Sequence, residues 1–285
     1  MKTLIGAHFS IAHGLHNALY TAQDYNCTAL QIFTKNSKTW EERFLSPEEI
    51  DSFNKAREET NIKAIASHTS YLINLAAPDS KKHDKSCNAL KQELTRCSML
   101  GIPYAVLHPG SHMGEGQEQG ISRIAESIIS IFDETPQIST RLLLETTAGQ
   151  GTVTGHTFEQ LAAITDKVGN KERIGICLDT SHIFTAGYDI RTKDAYRQTT
   201  EIFNSVIGIG NLYLIHLNDS KKKLGSKLDR HEHIGKGHIG IDAFAYIMND
   251  PELSHIPKII ETPKEKGLTD WDKKNLETLK SLITP

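Results

Sequence analysis

Eight short apolar runs, each halted by a polar residue, recur along the 285-residue chain and constrain its fold more than any other feature. They are Leu4–Ala7 halted at His8, Ala29–Phe33 at Thr34-Lys35-Asn36, Ala64–Ser67 at His68 and Tyr104–Leu107 at His108. The second half repeats the pattern with Leu142–Leu144 halted at Glu145, Ile174–Leu178 at Asp179, Leu212–Ile215 at His216 and Lys258–Ile260 at Glu261. Continuous apolar runs of this length suit strands covered on both faces, as in a parallel sheet. Stretches with helical spacing lie between them, such as Leu15, Ala18, Leu19 and Ala22, or Leu90, Leu94 and Cys97, or Ile121, Ile124, Ile128 and Ile131. Successive strand ends are 25 to 45 residues apart, room for one helix and its loops. Eight such alternations predict an α/β chain folded as a (β/α)8 TIM barrel. No Pro/Gly-rich linker or low-complexity stretch divides it, so residues 1–285 read as a single domain.

In a β/α barrel the residues that end the strands face the mouth, where active sites are built. Here six of the eight strands end in His68, His108, Glu145, Asp179, His216 and Glu261. Any one of these, taken singly, reads as an ordinary hydrogen-bonded surface group. Six in phase with the strands read as a metal centre, because imidazole and carboxylate suit zinc or manganese. Two further pairs extend the set. His182 follows Asp179 within LDTSH, and Asp229 and His231 stand two apart in LDRHEH. Nine candidate donors exceed what one zinc takes, and a carboxylate can bridge, so two or three ions are expected. His8 reads either as a group that holds a ligand in place or as a core histidine.

The bulk numbers exclude little but agree. Composition is that of an ordinary soluble protein, 38% hydrophobic and 24% charged. Met1 to Ser10 is too short and too polar for a signal peptide, and no apolar run is long enough to cross a bilayer. Cys27, Cys87, Cys97 and Cys177 form no CxxC pair, which suits reduced thiols in the cytoplasm. The net charge of −3 argues against a polyanionic partner until bound metal is counted. Between Asn218 and Gly240 runs a long charged loop with Lys221, Lys222, Lys223, Lys227, Arg230 and Lys236. Arg230, set between two candidate ligands, is its best phosphate contact.

Several segments resemble the signature stretches of the endonuclease IV family of zinc-dependent apurinic/apyrimidinic endonucleases. They are SHTSYLINLAAP (67–78), LHPGSH (107–112), LLETTAGQG (143–151), GICLDTSH (175–182), HLNDSKKKLGSKLDRHEHIGKGHIG (216–240) and IIETP (259–263). The resemblance runs collinearly from Ile5 to Thr262, and the stretch from His216 to Gly240 is its most specific part. It implies a barrel with three Zn2+ ions per chain, Mn2+ being admissible at one site. By matching motif, His68 and His108 would hold the first ion. Glu145 would bridge to a second, also held by Asp179, His216 and Glu261. His182, Asp229 and His231 would hold the third. The implied reaction is hydrolysis of the phosphodiester 5′ to an abasic site in duplex DNA, leaving a 3′-hydroxyl and a 5′-deoxyribose phosphate, together with removal of 3′ blocking groups. Glu145 and Glu261 would orient or deprotonate a water acidified between two ions.

The resemblance also implies DNA contacts at Asn36 and Lys38, and a wedge of Tyr71 and Leu72 entering the base stack at the lesion. Two positions depart from the family pattern: Lys38 stands where a family member has Arg, and Thr69 where it has Asp. Lysine neither stacks nor forks as arginine does, so the grip there is expected to differ. The whole is expected to act as a cytoplasmic monomer away from membranes. A sugar isomerase or epimerase on a similar barrel would also gather His, Asp and Glu around metal, but has no use for the Asp229/His231 pair. A non-catalytic barrel that binds damaged DNA would not need all nine donors.

Overall fold

The computed structural model describes residues 3–264 and 269–284. Met1 and Lys2, part of the N-terminal segment read above, lie outside the described residues. All eight apolar runs form strands: β1 Ile5–His8, β2 Ala29–Ile32, β3 Ala64–His68, β4 Tyr104–Leu107, β5 Arg141–Glu145, β6 Ile174–Asp179, β7 Leu212–His216 and β8 Lys258–Ile260. Each pairs in parallel with its neighbours in sequence, and β1 pairs with β8, with Gly6 beside Ile259, to close the barrel. The chain is therefore the closed eight-stranded β/α barrel that the repeating runs predict. A register shift between Ile176 and Cys177 marks the β6–β7 seam.

Helices cover the outside: α1 Leu15–Asp24, α2 Pro47–Glu59, α3 Ser80–Met99, α4 Gln117–Glu134, α5 Phe158–Val168, α6 Thr180–Ala186, α7 Lys193–Val206, α8 Ile241–Met248 and α9 Trp271–Ser281. Their starts are written in the sequence. Ser46 and Glu49 form a reciprocal capping box with Pro47 in the first turn of α2, and Asp79, Thr157, Thr192 and Asp270 cap α3, α5, α7 and α9. The apolar helix faces named above are buried in α1, α3 and α4. Among the described residues no helix is long and apolar enough to cross a membrane.

Strand side chains alternate between two cores, as the two-residue period of a strand requires. One set packs outward against the helices. The other fills the barrel: Ala29, Ala66, Val106, Leu143, Cys177, Leu214 and Ile259, one from each of β2 to β8. Gly6 holds the equivalent place on β1, where an added Cβ would lie 1.7 Å from the Ala29 carbonyl oxygen. Two residues beyond each of these lies the next inward layer, and that layer is the site. Gly6→Ala is expected to destabilise the barrel by about 1–3 kcal/mol or more through overpacking. A lower urea midpoint checks this; an unchanged midpoint would mean that β1 and β2 separate freely.

Candidate metal centre at the barrel mouth

Counting two residues on from the barrel-filling layer gives His8, Gln31, His68, His108, Glu145, Asp179, His216 and Glu261, a ring of polar side chains above an apolar plug. All six strand-end donors expected from the sequence lie in this ring. Gln31 is the member that end-of-run reasoning missed, because the apolar run continues past it through Ile32 and Phe33. The two-residue period alone would have found it.

With His182 and His231 from adjoining segments, the ring forms, among the described residues, three donor groups whose ligand atoms lie within 4.8 Å of one another: His68–His108–Glu145, Glu145–Asp179–His216–Glu261, and Asp179–His182–His231. Glu145 belongs to two groups and Asp179 to two. Glu145 Oε2 is 3.0 Å from His68 Nε2 and 2.9 Å from His108 Nε2, and Oε1 is 3.0 Å from His216 Nδ1. Glu261 Oε2 lies 3.2 Å from His216 Nδ1. The third group differs from the expected set by including Asp179. Asp229, the expected member, lies against it, with Oδ2 3.2 Å from His182 Nε2 and Oδ1 3.4 Å from His231 Nε2. Among the described residues those two Nε2 atoms are buried without a hydrogen-bond partner, which leaves their lone pairs available to an ion.

Carbonyl oxygens only accept hydrogen bonds, and this fixes the imidazoles. His68 Nδ1 donates to Thr69 O at 2.8 Å, His182 Nδ1 to Thr146 O at 2.8 Å, His216 Nε2 to Gln31 Oε1 at 2.8 Å and His231 Nδ1 to Glu261 O at 3.2 Å. Each neutral ring therefore presents its lone pair on the opposite nitrogen, toward the carboxylates. Metal-binding histidines are oriented in this way. The departure at Thr69 leaves His68 fully supported, because the partner is the main-chain carbonyl and any side chain would serve. Gln31 does more: its Nε2 donates to Glu261 Oε1 at 2.6 Å while its Oε1 holds His216. His8 Nδ1 is 3.2 Å from the same Glu261 oxygen, so His8 steadies that carboxylate instead of packing in the core.

Local folding places the third group. Asp179 ends β6 and caps α6, its Oδ1 accepting from His182 N at 2.9 Å, which turns the His182 ring into the mouth. Asn218 donates to Asp179 Oδ2 at 2.6 Å and accepts from Glu261 N at 2.7 Å, linking two strand ends. The loop bearing Asp229 and His231 is closed at its base by buried Asp219, which accepts from the main-chain N–H groups of Ser220, Gly237 and Ile239. Gly237 is obligatory there, since a Cβ would meet Ser220 O at 2.3 Å. A two-residue ladder of Asp219–Ser220 with His231–Glu232 completes the closure.

Burial alone would raise the Glu145 carboxyl, but His108 and His216 hold it well below its ordinary value. Burial likewise opposes ionisation of Asp229 and Glu261, yet His182 and His216 hold these two below the usual carboxylate range. Conversely, burial would lower His182, and Asp179 and Asp229 raise it well above its ordinary value. His68 is raised despite burial by Glu145, and His216 is raised well above its ordinary value by Cys177, Glu261 and Glu145. The anions thus demand cations, and protons on these rings supply them where metal does not. Carboxylate and imidazole donors with lone pairs already aimed inward fit divalent ions such as zinc.

The expected DNA-facing residues sit around this centre. Tyr71 is 61% exposed with its ring edge-on to Phe33 and His108, and Leu72 beside it is half-buried. Asn36, Lys38 and Arg230 are exposed. Asn36 Oδ1 accepts from Lys38 N at 3.0 Å and so shapes its own turn. Tyr71, His108, His182, Asp229 and Arg230 line one cavity of about 440 Å³ beside the centre. His8, Phe33, Asn36, Lys38 and Lys264 line another of about 710 Å³.

A closed β/α barrel with three carboxylate–imidazole groups in its mouth defines the class of barrel suited to hold metal there. Within that class, residues 19–282 match the xylose isomerase-like TIM barrel family. The chain is 46% identical to a Geotalea daltonii protein named probable endonuclease 4 over 283 residues, 99% of both chains. Its fold superposes on endonuclease IV from Thermus thermophilus with a TM-score of 0.87 at 33% identity, covering 98% of each. The chain belongs to the endonuclease IV family. A D-tagatose 3-epimerase-like protein shares the fold alone, with a TM-score of 0.71 at 19% identity over 97% of this chain and 96% of that one.

Two outcomes follow from the geometry. Gln31→Leu removes the His216 lock and is expected to weaken metal binding about 10–100-fold in a chelator competition; unchanged affinity would show that His216 needs no partner. For chelator-treated protein, the histidines stabilise fully below about pH 6.5 and lose this as pH rises through their raised values, while the carboxylates stabilise fully above about pH 4.3 and lose it as pH falls. Metal-free protein should therefore be most stable between these limits. Added Zn2+ should reverse the upper slope, because protons compete with metal for the same nitrogens. Urea midpoints at about pH 5.5 and about pH 8, with and without Zn2+, check both slopes.

Proposed function

We propose that this chain is a DNA-repair endonuclease that hydrolyses the phosphodiester 5′ to an abasic site in duplex DNA, leaves a 3′-hydroxyl and a 5′-deoxyribose phosphate, and clears blocked 3′ ends. Three zinc ions serve it, with manganese an alternative in the carboxylate-rich group. The observation that carries this reading is the third donor group, His182 and His231 with Asp179 and Asp229 beside them. A sugar epimerase barrel, which needs one or two ions, has no use for it. Full-length similarity to proteins named endonuclease 4 supports the same substrate class.

In this reading His68, His108 and Glu145 would hold one ion, Glu145, Asp179, His216 and Glu261 a second, and His182, His231 and Asp229 a third, with Asp179 at hand. The ions, when bound, acidify water and neutralise the charge that develops on the phosphodiester. The residues of the chain do the placing. Glu145 and Glu261 are both held in the anionic form, and in this reading either would orient or deprotonate a water acidified between the donor groups. Gln31 and His8 both bind Glu261 Oε1 and so fix the orientation of that carboxylate. Tyr71 and Leu72 would fill the gap in the base stack, the exposed Tyr71 ring standing edge-on to His108 at the rim of the pocket. Arg230, Asn36 and Lys38 neutralise backbone phosphates. One barrel carries every donor and both DNA-facing loops, so a cytoplasmic monomer suffices.

Zinc-loaded protein should incise a duplex carrying one tetrahydrofuran abasic analogue at its 5′ side, and absence of incision would sink the nuclease reading. Glu261→Gln should retain DNA binding and lose at least about a hundredfold in kcat. Unchanged turnover removes Glu261 from the reaction. Tyr71→Ala should act mainly on KM, since it removes a wedge and leaves the donor groups intact.

A further inference from the structure

The helix α3 carries a pair of buried charges that the metal chemistry does not use. Glu93 is 2% exposed and Arg96 is 3% exposed, and Arg96 Nη2 donates to Glu93 Oε2 at 2.7 Å. Both reach out of the helix toward the mouth. Thr34 Oγ1, just beyond β2, donates to Glu93 at 2.7 Å and accepts from Arg96 Nε at 2.8 Å. Ser67, next to His68, donates its hydroxyl to the other Glu93 oxygen. Arg96 Nη1 then donates to Glu42 Oε2 at 2.7 Å, at the far end of the segment that contains Asn36 and Lys38. Buried Lys35 pins the same segment from within, donating to Thr39 O at 2.7 Å and Glu41 O at 2.9 Å. Ser70 Oγ donates to Ser37 O at 2.6 Å, tying this segment to the loop that carries Tyr71.

A fork of guanidinium bonds that meets both ends of one loop has a mechanical consequence. Residues 34–42 form no helix or strand, and their exposed middle is held through main-chain carbonyls that Lys35 and Ser70 bind. The arginine grips Thr34 at the start and Glu42 at the end, and its charge is balanced by Glu93 inside the protein. Burying such a pair is costly unless every bond is made, which suits a part whose role is to fix a geometry.

We propose that the Glu93–Arg96 pair, with Glu42, positions the 34–42 segment at the barrel mouth and so sets DNA affinity through Asn36 and Lys38. This rests on the proposed DNA substrate for its consequence, although not for the clamp itself. These are positioning residues: among the described residues their hydrogen bonds go to one another, to Thr34 and Ser67, and to none of the metal-donor side chains. Loss of the clamp lets the segment sample many conformations, and the ordering cost reappears on DNA binding.

The chain has two tryptophans, Trp40 within the segment and Trp271 stacked on His233. In a Trp271→Phe background, Trp40 emission and its quenching by acrylamide report the segment directly, without DNA. Arg96→Met strands Glu93 without its cation and can unfold the chain, so the half-buried Glu42→Gln carries the test, with Arg96→Lys as a second variant that keeps the charge and loses the fork. Both are expected to make Trp40 more quenchable, to raise KM for the tetrahydrofuran duplex about three- to tenfold, and to leave kcat and bound metal unchanged. Unchanged quenching, or a fall in kcat accompanied by lost metal, overturns the proposal. If the parent protein cuts no duplex, the proposed function fails while the quenching result still decides the clamp.

Discussion

Glu145 is a carboxylate with no solvent exposure, and imidazole nitrogens of His68, His108, His182 and His216 lie within 3.3 Å of it. A charge in that position is untenable unless cations surround it. Everything else in the mouth answers this demand. Asp179 and Glu261 add further negative charge, so the histidines alone balance the centre only by taking up protons, whereas divalent ions balance it at neutral pH. The barrel supplies the rigidity that keeps such a cluster from collapsing: eight strands bring one side chain each to the same level, above a plug of small and branched apolar residues. Preorganisation of this kind is what electrostatic stabilisation of a reacting phosphodiester requires.

Much of this was legible in the sequence because two periodicities coincide. Each apolar run marks a strand, and the polar residue that halts it marks the inward layer at the mouth, so His68, His108, Glu145, Asp179, His216 and Glu261 could be read directly. His182, Asp229 and His231 were legible through their spacing and through the family resemblance, since a DxH in a charged loop has no meaning by itself. The supports were harder to see. Gln31 lies inside an apolar run and looks like a stray polar residue until the two-residue period is counted from Ala29. Asn218 and Asp219 disappear among the charges of a long loop, and their roles exist only once that loop folds back on Gly237. Glu93 and Arg96 stand three apart on a helix, a spacing that by itself does not separate a buried pair from a solvated one. Their burial is a product of tertiary packing against Thr34 and Ser67, which no local pattern encodes.

The substrate class is written at the rim rather than in the ring. Epimerase-like barrels share the fold, so the barrel and one metal group do not distinguish a sugar from a nucleic acid. The distinction lies in features that a small sugar would leave idle: an exposed tyrosine at the cavity edge, a basic loop whose base is closed by Asp219, and a second loop clamped by a buried ion pair. Lys38 stands where the family pattern has arginine, in the segment that the proposed clamp would hold. The donor ring and the 34–42 segment are held by separate hydrogen-bond networks, one through Gln31 and Asn218 and the other through α3.

The central claim is that the mouth is a three-ion centre. Elemental analysis of protein purified without chelator and dialysed against metal-free buffer tests it most directly. The account predicts close to three divalent metal ions per chain, mostly zinc, falling to about two in an Asp229→Ala/His231→Ala variant that keeps the barrel fold. One ion per chain, or a count that the double variant leaves unchanged, would contradict it.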